Sequence, residues 1–109
     1  MDPTPMMPTQ QRFLDCYEAI AVATRRMLDA ARCADWHAFA TRERECNTWM
    51  EHVERLGDPD AVLDAAGRRR RFELLREILR DDAALRDLMQ PWLGRVDRFL
   101  RGPMVDMPR

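Results

Sequence analysis

The sequence predicts an all-α protein, an antiparallel helical bundle of three main helices, the third long and kinked at Pro91. Three observations carry this. Hydrophobic residues make up 46% of the 109 residues and charged ones 34%, the balance of helices with one buried stripe and one solvated face. Between Thr9 and Gly57 there is neither Gly nor Pro. Apolar residues recur there at steps of three and four, the period of a helix face.

The first helix is expected from about Thr9, as N-cap, to Ala31, with Phe13, Leu14, Tyr17, Ile20, Ala21, Thr24, Met27, Leu28 and Ala31 on one face. A break at Cys33 and Ala34 follows, and Asp35 caps the second helix with Trp36 at its first position. So short a turn makes the two helices antiparallel. The second stripe is Trp36, Phe39, Ala40, Cys46, Trp49, Met50, Val53 and Leu56. Glu43 interrupts it, as a carboxylate reaching the edge of the interface beside Arg42, Arg44 and Glu45.

Gly57-Asp58-Pro59 closes that helix and opens the next, with Gly as terminator, Asp as cap and Pro in the first turn. The third pattern runs from Pro59 to Arg101 and stops at Gly102-Pro103. Gly67 weakens it by about 1 kcal/mol relative to Ala, and Pro91 kinks or restarts it. A continuous helix there is about 60 Å long against roughly 33 Å for each of the others. The hairpin therefore leaves the apolar face of Leu85, Leu88, Met89, Trp92, Leu93, Val96, Phe99 and Leu100 open to a second copy, a client helix or a fold-back at Pro91, and under the first two these are the candidate partner-binding residues. Trp92 is the expected anchor, and Trp36 is expected to pack structurally at the first turn. Residues 1–8, with Pro3, Pro5 and Pro8, read as a flexible lead, 9–101 as one domain and 102–109 as a flexible tail.

Several functions are disfavoured by composition. There is no Ser and no Lys, which removes a Ser nucleophile, a Schiff-base Lys and a P-loop Lys. No strand precedes a Gly-rich loop, and the pair Asp81-Asp82 has no evident cleft, so no catalytic residue is assigned. Cys33, His37 and Cys46 have spacing from which a metal site can be imagined, but Asp35 starts a helix between the first two and a fourth ligand is missing. No metal and no cofactor is expected, and His52 reads as a solvated imidazole. The run Arg68 to Arg71 suggests nucleic-acid contact as an alternative, yet four successive helical residues point around the whole circumference and Asp60, Asp64, Glu73 and Glu77 lie within two turns. A net charge of −1, from 18 Arg against 19 acidic residues, supplies no attracting field for nucleic acid or membrane. Three cysteines without CxxC pairing, no signal-like N-terminus and no long apolar run favour a cytoplasmic protein.

Three stretches resemble a known family. Tyr17-Glu18-Ala19-Ile20 leading to Met27-Leu28, the turn Ala34-Asp35-Trp36, and Leu75 to Leu88 followed by Pro91-Trp92-Leu93 are similar to the three helices of FliT-type flagellar export chaperones. The resemblance covers nearly all of 10–101. It implies a cytoplasmic, non-enzymatic protein that binds the flagellar filament-cap protein and delivers it to the type III export apparatus. The export ATPase and export gate are implied as further partners, and a flagellar transcription activator in some relatives. One departure stands out: better-known relatives carry a fourth, C-terminal helix over the binding surface, whereas only 103–109 follow Gly102 here. Shielding by a homodimer is the expected substitute.

Overall fold

A computed structural model describes the backbone of residues 8–101 and the side chains of 9–89. Four helices are present, α1 (Pro8–Arg32), α2 (Trp36–Leu56), α3 (Pro59–Val62) and α4 (Ala65–Arg101). Among the described residues there is no strand. The all-α prediction thus holds, with one more helix than expected. The described helix begins at Pro8, one residue inside the expected lead, so Thr9 lies within the first turn and is not its cap. Proline suits that opening position because the N–H it lacks would have no helical partner.

α1 is the central element, and it is buried more widely than a single stripe. Phe13, Tyr17, Ile20, Thr24 and Ala31 are buried along its middle, Leu14, Ala21 and Leu28 on one flank, and Cys16, Ala23 and Ala30 on the other. Each flank repeats every seven residues and gives α1 two seams. Ala23 packs in a cluster with Cys46 of α2, while Leu28 packs with Leu85 of α4. At the other end Phe13, Leu14 and Tyr17 meet Leu63 and Leu74, joined by Val53 and Leu56 of α2 and Leu75 and Ile78 of α4. Hence α2 runs antiparallel to α1 and α4 runs parallel to it, the up-down-up arrangement of a three-helix bundle.

The α1–α2 turn is closed from both sides by Asp35. Its N–H donates to the Ala30 carbonyl (2.9 Å) and that of Ala34 to the Ala31 carbonyl (3.0 Å), the paired bonds of a Schellman ending. Its side chain then accepts the Ala38 N–H (3.1 Å) and opens α2. Ala34 carries the left-handed conformation this ending requires, at φ 56°, where a Cβ is unfavourable. At the far end of α2 Gly57 ends the helix differently, at φ 94° and ψ −147°, a backbone region open to glycine, with its N–H donating to the Glu54 carbonyl (3.3 Å).

The expected third helix is broken, but not at Gly67. After one turn of α3, capped by the Asp58 side chain on the Asp60 N–H (3.0 Å), Leu63 adopts extended backbone (φ −79°, ψ 136°). That conformation places Leu63 in the core beside Phe13. Asp64 then restarts the helix, its carboxylate accepting the Gly67 N–H at 2.8 Å. Gln10 of α1 fastens the restart: its Oε1 accepts the Asp64 N–H (2.6 Å), and its Nε2 donates to the Asp64 carboxylate (3.5 Å). The Gly67 N–H holds the Asp64 carboxyl below its usual range, with Gln10 adding to the effect. Stabilisation from this cap is therefore fully present above the ordinary aspartate pKa and is lost as pH falls through the lower folded value.

Gly67 thus has a packing reason where the sequence showed only a weak spot. A Cβ there would lie 2.6 Å from Oε1 of Gln10, itself only 2% exposed. Beyond it the helical backbone of α4 passes through Pro91 to Arg101 without ending or restarting.

Two substitutions test these local arguments. Ala34→Gly is expected to raise stability by about 0.5–1 kcal/mol in denaturant melts, relief of the left-handed strain outweighing the added freedom of the unfolded chain. Gly67→Ala should cost about 1 kcal/mol despite the better helix propensity of Ala, and the loss should become a gain of similar size in a Gln10→Ala background. A gain in both backgrounds would remove the close-packing account.

Candidate functional site: an apolar groove at the hairpin tip

The register of α4 against α1 determines what is left uncovered. Gln10 meets Asp64, Tyr17 meets Arg71 and Arg25 meets Asp81, so Arg32, the last residue of α1, lies level with about Leu88. By that register, roughly the last three and a half turns of α4, about 20 Å, continue beyond the hairpin tip.

Where α4 leaves the hairpin there is a groove of about 580 Å³, lined among the described residues by Ala31, Trp36, Leu88 and Met89. Three elements build it: the last turn of α1, the first residue of α2 and the inner face of α4. Trp36 is 52% exposed and Leu88 45%. Phe39 steadies the indole edge-to-face, ring centres 5.7 Å apart, a geometry that favours the pair beyond its burial. All four lining residues are apolar, so the groove suits apolar side chains of a partner.

The predicted site residues separate at this point. Leu88 and Met89 line the groove. Leu85, expected on the open face, is instead 6% exposed and packs against Leu28 and Ala31, because the parallel register carries α1 one turn further along α4 than equal helix lengths suggest. The side chains of Trp92, Leu93, Val96, Phe99 and Leu100 lie outside the described residues. Trp36 was not among the expected binding residues and was expected to pack structurally; it forms one wall of the groove. Its position directly after a capping Asp, with few residues left to cover the tip, is the signal that could have identified it.

Other candidate clusters are dispersed or internally engaged. Three of the four arginines in the run have partners within the chain. Arg68 donates to the Asp60 carbonyl (3.2 Å), Arg70 pairs with Glu73 and Glu18 (3.2 and 3.4 Å), and Arg71 donates through Nε to the Tyr17 hydroxyl (3.0 Å). Cys33 is exposed in the turn, while Cys46 is buried beside Thr24. Burial pushes the Cys16 and Cys46 thiols up, away from the reactive thiolate. Among the described residues no three His, Cys, Asp or Glu side chains are grouped to hold a metal. His52 sits by Trp49 and Arg55, whose Nη2 is 2.6 Å from Nδ1. Glu43 is exposed, and its neighbour Arg42 pairs with Glu45 (3.1 Å). No helix among the described residues is long and apolar enough to cross a membrane.

Comparison with known proteins agrees with the helical layout. The family model "Flagellar protein FliT" matches residues 14–102. The crystal structure of flagellar protein FliT from Bordetella bronchiseptica superposes with a TM-score of 0.66 at 38% sequence identity, covering 80% of this chain and 97% of that one. No curated protein matches the sequence.

The groove and the core respond differently to substitution. Leu88→Asp should cost only about 1 kcal/mol, from poorer helix propensity and the loss of a half-exposed side chain. Leu85→Ala, three residues away, should cost about 2–4 kcal/mol. Equal losses in thermal or denaturant melts would mean that Leu88 belongs to the intramolecular core.

Proposed function

The chain belongs to the FliT family of flagellar proteins, and on that basis we propose that it is a flagellar export chaperone that binds the filament-cap protein in the cytoplasm and delivers it to the export apparatus. The observation that carries this reading is the groove of Ala31, Trp36, Leu88 and Met89, opening where α4 outruns the hairpin. An apolar surface of this kind, formed by helices and lacking a cover from its own chain among the described residues, is a place to hold an apolar or amphipathic segment of another protein. Trp36 supplies the large, steadied aromatic surface on which binding energy concentrates. The predicted residues Trp92, Leu93, Val96, Phe99 and Leu100 would extend the same surface along α4.

The export ATPase and export gate are proposed as the proteins that receive the loaded chaperone, and a homodimer as the state that shields the groove before loading. The mechanism needs no chemistry. An apolar client segment is withdrawn from water, where it would associate with its own kind, and released when a competing surface covers either partner. The nucleic-acid alternative loses support because Arg68, Arg70 and Arg71 are engaged within the chain.

Co-purification with the C-terminal segment of the cap protein tests the proposal. Wild type should retain the segment, and Leu88→Asp and Trp36→Ala should each weaken binding about tenfold or more, the equivalent of about 1.4 kcal/mol, with unchanged helical content. Retention by both variants would move the site away from the groove. No retention by wild type would end the client assignment.

A further inference from the structure

The α1–α4 seam is unequal along its length. Its first half is held by Leu63 and Leu74 under Phe13, Leu14 and Tyr17, by the Gln10–Asp64 bonds and by Tyr17–Arg71. Its last part, among the described residues, rests on Leu28, Ala31 and Leu85, with Met27, Phe39, Ala84 and Met89 at the margin. Between them the inner stripe of α4 is interrupted by a charge. Asp81 occupies the position between Ile78 and Leu85 at helical spacing, and its side chain is 8% exposed.

The only ion-pair partner of Asp81 among the described residues is Arg25, whose Nε is 3.3 Å away and whose side chain is half exposed. That separation is longer than a charge-assisted hydrogen bond of about 2.8 Å. Glu77, one turn earlier on α4, adds a like charge at the i,i+4 spacing that destabilises a helix face. The seam is also open here. A second groove, of about 340 Å³, lies beside Asp81 and is lined by Arg25, Arg26, Asp29 and Glu77 among others. A buried carboxylate with one partner is favourable only while that partner stays in place.

We propose that Arg25 and Asp81 form a latch at which the distal half of α4 opens from α1 independently of the proximal half, adding Leu28 and Leu85 to the apolar groove. The inference rests on the groove as the binding surface and supplies its regulation. Opening is local because the proximal half has its own fastenings. It also loosens the distal backbone, since most of the stability of a helix within a protein comes from packing of its apolar face. A partner that pairs with Leu85 and Leu28 in place of their mutual contact would then favour the open form by population shift.

Amide hydrogen exchange on the free protein tests the latch without any partner. In wild type the amides of 85–89 should exchange at least about tenfold faster than those of 74–78. Asp81→Leu, which restores an apolar stripe and leaves Arg25 solvated, should slow 85–89 about tenfold and leave 74–78 unchanged, while Arg25→Ala should accelerate 85–89 about tenfold or more. Uniform exchange along α4, or equal responses of both segments, would overturn the proposal. If Arg25→Ala fails to fold, thiol alkylation decides in its place, with Leu85→Cys and Leu74→Cys each placed in a Cys33→Ala background. The latch requires position 85 to react faster and to be slowed by Asp81→Leu; equal rates refute it. Because no partner is present, the result stands apart from client binding. A slowed 85–89 segment together with unchanged affinity for the cap-protein segment would show a latch that does not regulate the groove and would refute that part.

Discussion

Gln10 and Asp64 meet through two hydrogen bonds, one from backbone N–H to Oε1 at 2.6 Å and one from Nε2 to the carboxylate at 3.5 Å, and the layout of the hairpin-tip end follows from that contact. It joins the first turn of α1 to the residue that restarts the chain as α4. Two parallel helices fastened at their beginnings must express any difference in length at their far ends. α4 has 37 residues and α1 has 25, so the excess emerges at the hairpin tip and nowhere else. Gly67 is the steric condition for this fastening, because only a residue without Cβ leaves room for a buried Gln10.

Much of this was legible in the sequence, and the reasons are local. Asp35, Gly57, Asp58 and Pro59 act within five residues of themselves, so their caps and turns could be read directly. The stripe of α1 was legible too, except for its second seam. Cys16, Ala23 and Ala30 are small residues that look neutral in a hydrophobic pattern, yet they allow close approach of a second helix. What escaped was decided across some fifty residues. Nothing near Leu63 marks a break, since its extended backbone is chosen by the core beneath it. Gly67 resembled a weak point because Gln10, the residue requiring it, is remote in sequence.

The same reasoning explains why Leu85 and Leu88 have different fates although both sit on the apolar face of α4. Separated by three residues, they point about 60° apart around the helix axis. Leu85 faces Leu28 and Ala31 and closes the intramolecular core, whereas Leu88 is turned outward and lies level with the end of α1, so it meets the groove. Periodicity identifies the face they share. Only the register shows where the cover provided by α1 stops.

The groove therefore has two walls with independent origins. Trp36 is placed by the turn, where the Ala34 left-handed residue and the two roles of Asp35 determine how α2 leaves α1. Leu88 and Met89 are placed by the register established at Asp64, more than twenty residues earlier on a helix that carries the offset rigidly. The turn is a tight local device, while the register is exposed to any weakness between Asp64 and Leu88. Asp81 lies within that interval, as a buried carboxylate beside an open, charged seam. A bundle built only for stability would carry a leucine there. With the aspartate, the wall formed by α4 can move while the wall formed by Trp36 stays fixed, and the width of the groove becomes a property that a partner can alter.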